Sequence, residues 1–246
     1  ISAFLPSPGE ISPVAMPPDG LTLANYEKVF ADPTFNIAGA YAVSGLICVT
    51  VMALVAILGA GLGYIVGRLR PPWSNRMTLL LLLTFVLPPQ VTIIPVLKVL
   101  LFVGLAAHPV GLIAYDVAVT TPFAALMYSL FVRDLPISIE EAARIDGASR
   151  LRIFWSVVLP LLKPATISIL VFVGVGNWND FVTPNIILAG DVQTITTGIY
   201  SSIGKYSADW GSVFATVVIA SVPVMIVFLF AQKRLIGGIT RGAVVE

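Results

Sequence analysis

Residues able to carry out covalent or metal chemistry are scarce in this sequence and badly placed for it. Cys48 is the single cysteine and His108 the single histidine, so a disulfide, a thiolate metal site and histidine catalysis all lack partners. Glu140 and Glu141 form a carboxylate pair, but adjacent residues of a helix point to different faces, and no nucleophile accompanies them. Two glycine-rich stretches look like phosphate cradles at a glance. GAGLGYIVG (59–67) lacks the third glycine of a dinucleotide fingerprint. GIYSSIGKY (198–206) is one residue too long before its Gly-Lys, and Tyr206 stands where a magnesium-holding Ser or Thr belongs. What remains are polar side chains set in apolar surroundings: Gln90, Asp116, Asn177, Trp178, Asn179 and Asp180. Groups of that kind within a membrane span line pathways, gate them or join helices.

The surroundings decide the class. Of 246 residues, 57% are hydrophobic and only 11% charged, with a mean hydropathy of +0.96. Globular domains carry about a quarter charged residues, so the chain reads as an all-α polytopic membrane protein, a single transmembrane unit over 1–246. Its basic residues are dispersed and its net charge is +1, which offers nothing to nucleic acid. Ile1 is not an initiator, and no basic segment with a following apolar core opens the chain.

Taken in order, residues 1–36 read as an outer loop with a short interfacial helix, LTLANYEKVF, capped by Thr22 and apolar along Leu23, Tyr26 and Phe30. A first span lies within 37–66, longer than the ~20 residues needed to cross the hydrocarbon core. Its Gly59, Gly63 and Gly67 make a small-residue ridge for close helix approach. A second span starts near Met77 and is interrupted by Pro88, Pro89 and Pro95 before Lys98, where a kink or break is expected, with Gln90 and Thr92 beside it. The third span, 110–131, holds Asp116 in its first two turns, either as a pathway residue or as a partly hydrated one at the outer interface. A fourth span covers 165–188, a polar outer loop 189–211, and a fifth span 212–231.

With five spans, 11 of the 14 Lys and Arg residues fall on one side, leaving Lys28, Lys98 and Lys205 on the other. The side with the basic excess is expected to be cytoplasmic, and with it the loop 132–164 and the C-terminus. Ile1 then lies outside, which asks for a further span upstream.

The loop 132–164 is the charged island of the chain. Pro136 ends the preceding helix, and Ser138 with Glu141 suggests a capping box opening a new one. Gly147 suits a left-handed stop. Ser149 can cap a second helix, LRIFWSVV, ending near Pro160. The first helix is too short to be stable alone and asks for a docking partner.

In this loop EAARIDG followed by VVLP resembles the E-A-A…G…I-x-L-P signature of permease subunits of bacterial ATP-binding-cassette (ABC) importers. Glu141, Ala142, Ala143 and Gly147 match directly, Val157 stands where isoleucine is usual, and Leu159 and Pro160 close the motif. LTLANYEKVF, the LPPQ break, WNDF and the ending QKRLIGGITRGAV are similar to the carbohydrate-type branch, in particular the second permease subunit of maltose-type systems. The resemblance runs along essentially the whole chain and implies the type I importer permease fold, with a span ahead of the outer N-terminal loop and a cytoplasmic coupling helix.

It further implies a second permease subunit, probably a different chain by the pattern of that branch, two cytoplasmic ATPases and an extracytoplasmic solute-binding protein in a bacterial plasma (inner) membrane. The chain itself would hold no cofactor, ATP and magnesium belonging to the ATPases. By the same resemblance, Glu141 and Asp146 would meet polar groups of the ATPase, Ala142 and Ala143 would allow close approach, Gly147 would make the turn, and Leu159 and Pro160 would connect to the fourth span. Glu141 and Gly147 also fit a purely local role as cap and stop. Asn177, Trp178, Asn179 and Asp180, with Gln90 and Asp116, are candidates for the solute pathway or for gating. Tyr200, Tyr206 and Trp210 are candidates for contact with the binding protein. The rival reading is an ion-coupled secondary transporter using Asp116 and Asp180, but it needs internal repeats, which the sequence lacks. An intramembrane enzyme would need a catalytic constellation within the spans, and there is none to assemble.

Overall fold

The computed structural model describes residues 22–32, 35–69, 71–86, 88–205 and 210–242. The opening segment up to Leu21, Arg70 and Tyr206 lie outside the described residues. Every regular element among the described residues is helical.

Helix α1 (Ala24–Ala31) follows Thr22, whose hydroxyl accepts from the Ala24 N–H at 3.2 Å. It is rotated from the expected face: Asn25 and Val29 are buried, whereas Leu23 and Phe30 are exposed. Helix α2 (Ile37–Tyr64) is apolar all round and continues through a π-turn, Ile65–Leu69, as a 33-residue span. Its partner is α5 (Pro109–Asp134), and the glycine ridge lies between them. A Cβ added at Gly59 would sit 2.7 Å from the Ala124 Cβ, and one at Gly63 would sit 2.5 Å from the Tyr128 Cβ. The backbones meet at a distance only glycine permits, and Val51, Val55, Tyr128 and Val132 pack around that contact, all fully buried.

The expected second span is two helices, α3 (Ser74–Leu83) and α4 (Pro89–Phe102), neither long enough to cross alone. Pro88 precedes another proline and is therefore held extended, with ψ 130, so the helix cannot run through it. After α5 come α6 (Ile137–Ile145), α7 (Arg150–Ile153), a π-turn Phe154–Val158, and the short α8 (Leu159–Leu161). The stretch Arg150–Leu161 is one helical arm that closes one residue past Pro160, near where its end was expected. Proline clashes with the carbonyl four residues back, and the wider π-turn just ahead of it absorbs the clash, with the Leu159 N–H bonding the Phe154 carbonyl. The arm meets α9 (Lys163–Asn179) at a bend of 74°.

The expected fourth span breaks at Asp180–Phe181 before α10 (Val182–Ile187). The outer loop, expected to be irregular, contains α11 (Ile195–Lys205), and α12 (Trp210–Gly242) begins two residues earlier than anticipated. Ser44 on α2 opens α11 by accepting the Ile195 N–H at 2.9 Å. Among the described residues three single helices are long and apolar enough to span, 37–69, 109–134 and 210–230, and the bent pair 150–179 makes a fourth if it is one span.

Overpacking a closed helix contact costs about 1–3 kcal/mol. Gly63→Val is therefore expected to lower the thermal unfolding midpoint of the purified protein, read by tryptophan fluorescence. Gly61→Ala, whose Cβ meets nothing within 4 Å, is expected to leave the midpoint where it was.

Candidate functional site: a charged loop and a polar groove

The loop between α5 and α9 is built around a left-handed stop. Gly147 has φ +83, its N–H bonds the Arg144 carbonyl at 3.0 Å, and the Ala148 N–H bonds the Ala143 carbonyl at 3.0 Å. This paired arrangement ends α6 as a Schellman motif. Ser149 then caps α7, accepting from the Arg152 N–H at 3.3 Å.

At the other end of α6 the expected capping box is absent. Pro136, at ψ 129, already acts as the N-cap, which puts Ser138 inside the first turn and leaves Glu141 solvent-exposed. The two outward faces differ in chemistry: Glu141, Ala142, Ile145 and Asp146 are exposed, with Ile145 at 87%, while Leu151 on α7 is 69% exposed beside Arg150 and Arg152. Ala143 turns inward with Ala148 and Leu159 against the core, so its small size serves packing within the chain, and Pro160 is exposed.

Glu140, weighed in the sequence only as half of a carboxylate pair and given no role there, is held inside. It is 3% exposed, and Arg68 Nε donates to its Oε1 at 2.6 Å while the Tyr64 hydroxyl donates to Oε2 at 2.8 Å. Arg68 also donates through Nη2 to the Leu135 carbonyl at 2.6 Å, satisfying the end of α5. Adjacent carboxylates in a charged loop carry no signal of which one is inward. The nearest clue is that Tyr64 and Arg68 stand one turn apart at the end of an otherwise apolar span.

Toward the opposite ends of α5 and α9 lies a groove of about 500 Å³. Asp116, Val119, Thr120 and Phe123 line it from α5 at helical spacing. Phe172, Gly176 and Asn177 face them from α9, with Asn179 and Asp180 at the break and Gln90 at the start of α4. Phe123 and Phe172 pack with ring centroids 4.6 Å apart, and Phe85 lies 6.4 Å from Phe123. One wall is thus aromatic, and the rest offers amides, carboxylates and hydroxyls.

Asp116 is not a hydrated interfacial residue: it is buried, and Asn177 Nδ2 donates to its Oδ2 at 2.6 Å. Asp180 accepts the Thr183 N–H at 3.2 Å through Oδ1 and so opens α10. Trp178 stands apart from the groove, its Nε1 donating to the Ala220 carbonyl at 3.1 Å and its ring 5.5 Å from that of Tyr41. Tyr115, Phe85, Phe123 and Phe172 are the groove residues the sequence reading passed over. Their signal was only the spacing of Phe123 seven residues after Asp116. Tyr200 is exposed and stacks at 4.4 Å on Phe181, and Trp210 pairs with Phe214 at 6.3 Å.

Residues 59–241 match the family described as "Binding-protein-dependent transport system inner membrane component". The diacetylchitobiose uptake system permease protein NgcG of Streptomyces coelicolor is 33% identical over 241 residues, 96% of this chain and 79% of that protein. The multiple sugar-binding transport system permease protein MsmG of Streptococcus mutans is 32% identical, covering 92% of this chain and 82% of that protein. Among solved structures, a chain of a bacterial ABC transporter involved in the import of the acidic polysaccharide alginate superposes with a TM-score of 0.73. It is 22% identical, over 87% of this chain and 79% of that one.

Removing one partner of a buried hydrogen bond leaves the other unsatisfied at about 1–3 kcal/mol, whereas replacing both with apolar groups is nearly neutral. Asn177→Leu is expected to destabilise the protein by that amount in thermal unfolding, and adding Asp116→Leu is expected to restore most of it.

Proposed function

The chain belongs to the binding-protein-dependent transport system inner membrane components, and from that premise we propose that its solute is a carbohydrate delivered by an extracytoplasmic binding protein. It is a multi-pass inner-membrane permease subunit of an ABC importer, a transport component and not an enzyme. Its partners are a second permease subunit, different from this chain, and two cytoplasmic ATPases that hold ATP and magnesium. The loop 132–164 and the C-terminus are cytoplasmic, by the excess of Lys and Arg on that side.

The observation that carries the coupling role is the face that the loop leaves uncovered. Ile145 and Leu151 stand nearly free of their own chain, flanked by Glu141, Asp146 and Arg150. An apolar pair rimmed by charges is the anatomy of a docking surface. ATP-driven closure of the ATPases moves this loop, and the spans swing between inward-facing and outward-facing states. Gly147 sets the turn that presents the face, Ala142 lets a partner come close, and Leu159 and Pro160 carry the arm into α9.

The carbohydrate class is supported by the two relatives, whose names describe sugar uptake, and by the groove. Aromatic faces pack against the C–H surfaces of sugar rings, and Gln90, Asn177, Asn179 and Asp180 offer hydrogen bonds to hydroxyls. Trp178 contributes by holding α9 to α12. Tyr200 and Trp210 face the side from which the binding protein approaches. The family match and the sugar-uptake relatives favour this reading over an ion-coupled transporter.

Proline cannot adopt the positive φ of Gly147, and a lysine at 141 reverses a charge at the docking face, where mispaired charges cost several kcal/mol. Gly147→Pro and Glu141→Lys are each expected to abolish solute uptake in vesicles and to lose the ATPase on copurification. Undiminished uptake in both would sink the coupling reading. For the solute, ATPase stimulation in reconstituted vesicles across a panel of loaded binding proteins is expected only with carbohydrates. Stimulation confined to non-carbohydrate solutes would overturn that assignment alone.

A further inference from the structure

Glu140 has no place on the docking face. It is the only residue of α6 that is buried, and α6 is nine residues long. Ala143 adds a partly buried apolar contact to the core, and the Glu140 carboxylate supplies the polar attachment of α6 to the first span. Both close donors to that carboxylate come from the end of the first span: Arg68 Nε at 2.6 Å and the Tyr64 hydroxyl at 2.8 Å.

The same guanidinium donates at 2.6 Å to the carbonyl of Leu135, the residue that closes α5. The Tyr64 ring lies 5.4 Å from that of Phe154, where the arm enters its π-turn. Four segments thus meet at Glu140: the end of α2, the end of α5, the docking helix and the returning arm. Arg144 adds a weaker attraction, its Nη2 4.0 Å from Oε2 and half exposed to screening.

The type of contact matters. The hydrophobic effect is non-directional, whereas charge-assisted hydrogen bonds from a fixed guanidinium and a hydroxyl set distance and angle together. A push on the outer face of α6 therefore reaches α2 without slip. The wide turn at Ile65–Leu69 is where α2 departs from regular helix, directly at the residue that receives the load.

We propose that Glu140 is a positioning residue for transport: the Arg68–Glu140–Tyr64 brace is the joint that delivers displacement of the docking helix to the first span. This rests on the coupling reading above. A merely structural anchor would change how much folded transporter is obtained; a joint changes how much transport each ATP supports.

The test uses the complete reconstituted transporter, with both permeases, the ATPases and the loaded binding protein, and measures ATP hydrolysed per solute taken up. Coupling between sites typically amounts to factors of roughly 5–150. Glu140→Gln is expected to keep the ATPase bound while raising that ratio about tenfold. Tyr64→Phe removes a single hydrogen bond, a contribution of a fewfold in an equilibrium, and is expected to raise the ratio about threefold while keeping the ring against Phe154.

An unchanged ratio in both variants with the ATPase retained would overturn the proposal. So would loss of folded protein in Glu140→Gln together with an unchanged ratio in Tyr64→Phe, because the pair would then be a fold anchor only. Failure of the coupling reading looks different: Glu141→Lys would leave the ATPase bound and uptake intact. If only the brace fails, Glu141→Lys still releases the ATPase.

Discussion

Hydrocarbon offers no hydrogen-bond partner to a backbone group, so every carbonyl that a proline or a helix end releases within this protein has to be met by another part of the chain. Pro223 removes the donor that would have bonded the Ile219 carbonyl, and the Tyr41 hydroxyl donates there instead, with the Trp178 indole on the next carbonyl along. The Asp180 carbonyl, left free at the break between α9 and α10, is met by the Thr196 hydroxyl at 2.7 Å. At the end of α5 the Leu135 carbonyl is met by Arg68. In each case the satisfying group comes from a distant segment. The breaks are therefore where this fold is joined, and the side chains at the joints are the polar residues that look anomalous in an apolar sequence.

Between these joints α2 and α5 form a rigid body. Their glycine contact is too close to slide or tilt without collision, and close-packed interiors transmit displacement instead of absorbing it. α5 carries Asp116, Thr120 and Phe123 on the groove near one end and runs into Leu135 at the other. Nineteen residues at ~1.5 Å each separate Asp116 from Leu135, roughly 28 Å, close to the thickness of the hydrocarbon core. One helix pair thus spans the distance from the charged loop to the groove, and no relay of side chains is needed between them.

The first, third and fifth spans were legible because length and hydropathy alone identify them, and the glycine ridge and Gly147 were legible because a missing side chain at a fixed spacing has few explanations. The breaks were visible as prolines but not in their consequences. Pro160 looked like a stop and the arm does close beside it, but the π-turn just ahead of it had no signal in the sequence. The outer loop looked irregular, yet α11 forms there because Ser44, about 150 residues away in sequence, opens it. The groove was partly legible through Asn177 and Asp180, whose polarity is unusual in a span. Its aromatic wall was not, because Phe123 and Phe172 look like any lipid-facing residues until α5 and α9 are brought together. Trp178 misled for the opposite reason, since an indole beside polar residues suggests a sugar platform, whereas its N–H is committed to α12.

Glu140 and Glu141 show why adjacency in sequence can conceal opposite tasks. Successive residues of a helix are rotated by about 100°, so one carboxylate turns into the protein while its neighbour turns out to solvent. Desolvation of Glu140 is tolerated because Arg68 and Tyr64 supply charge and hydrogen bonds to both oxygens, and a buried carboxylate without them would not persist. Glu141, which has no such partner among the described residues, has nothing there to hold it inward. In the coupling we propose, the load passes across the width of α6, about 10 Å, instead of along the chain through Pro136. A helix too short to be stable by itself serves that purpose well, because it is held at one face by the spans and at the other by whatever it docks against, and it has no fold of its own to resist either.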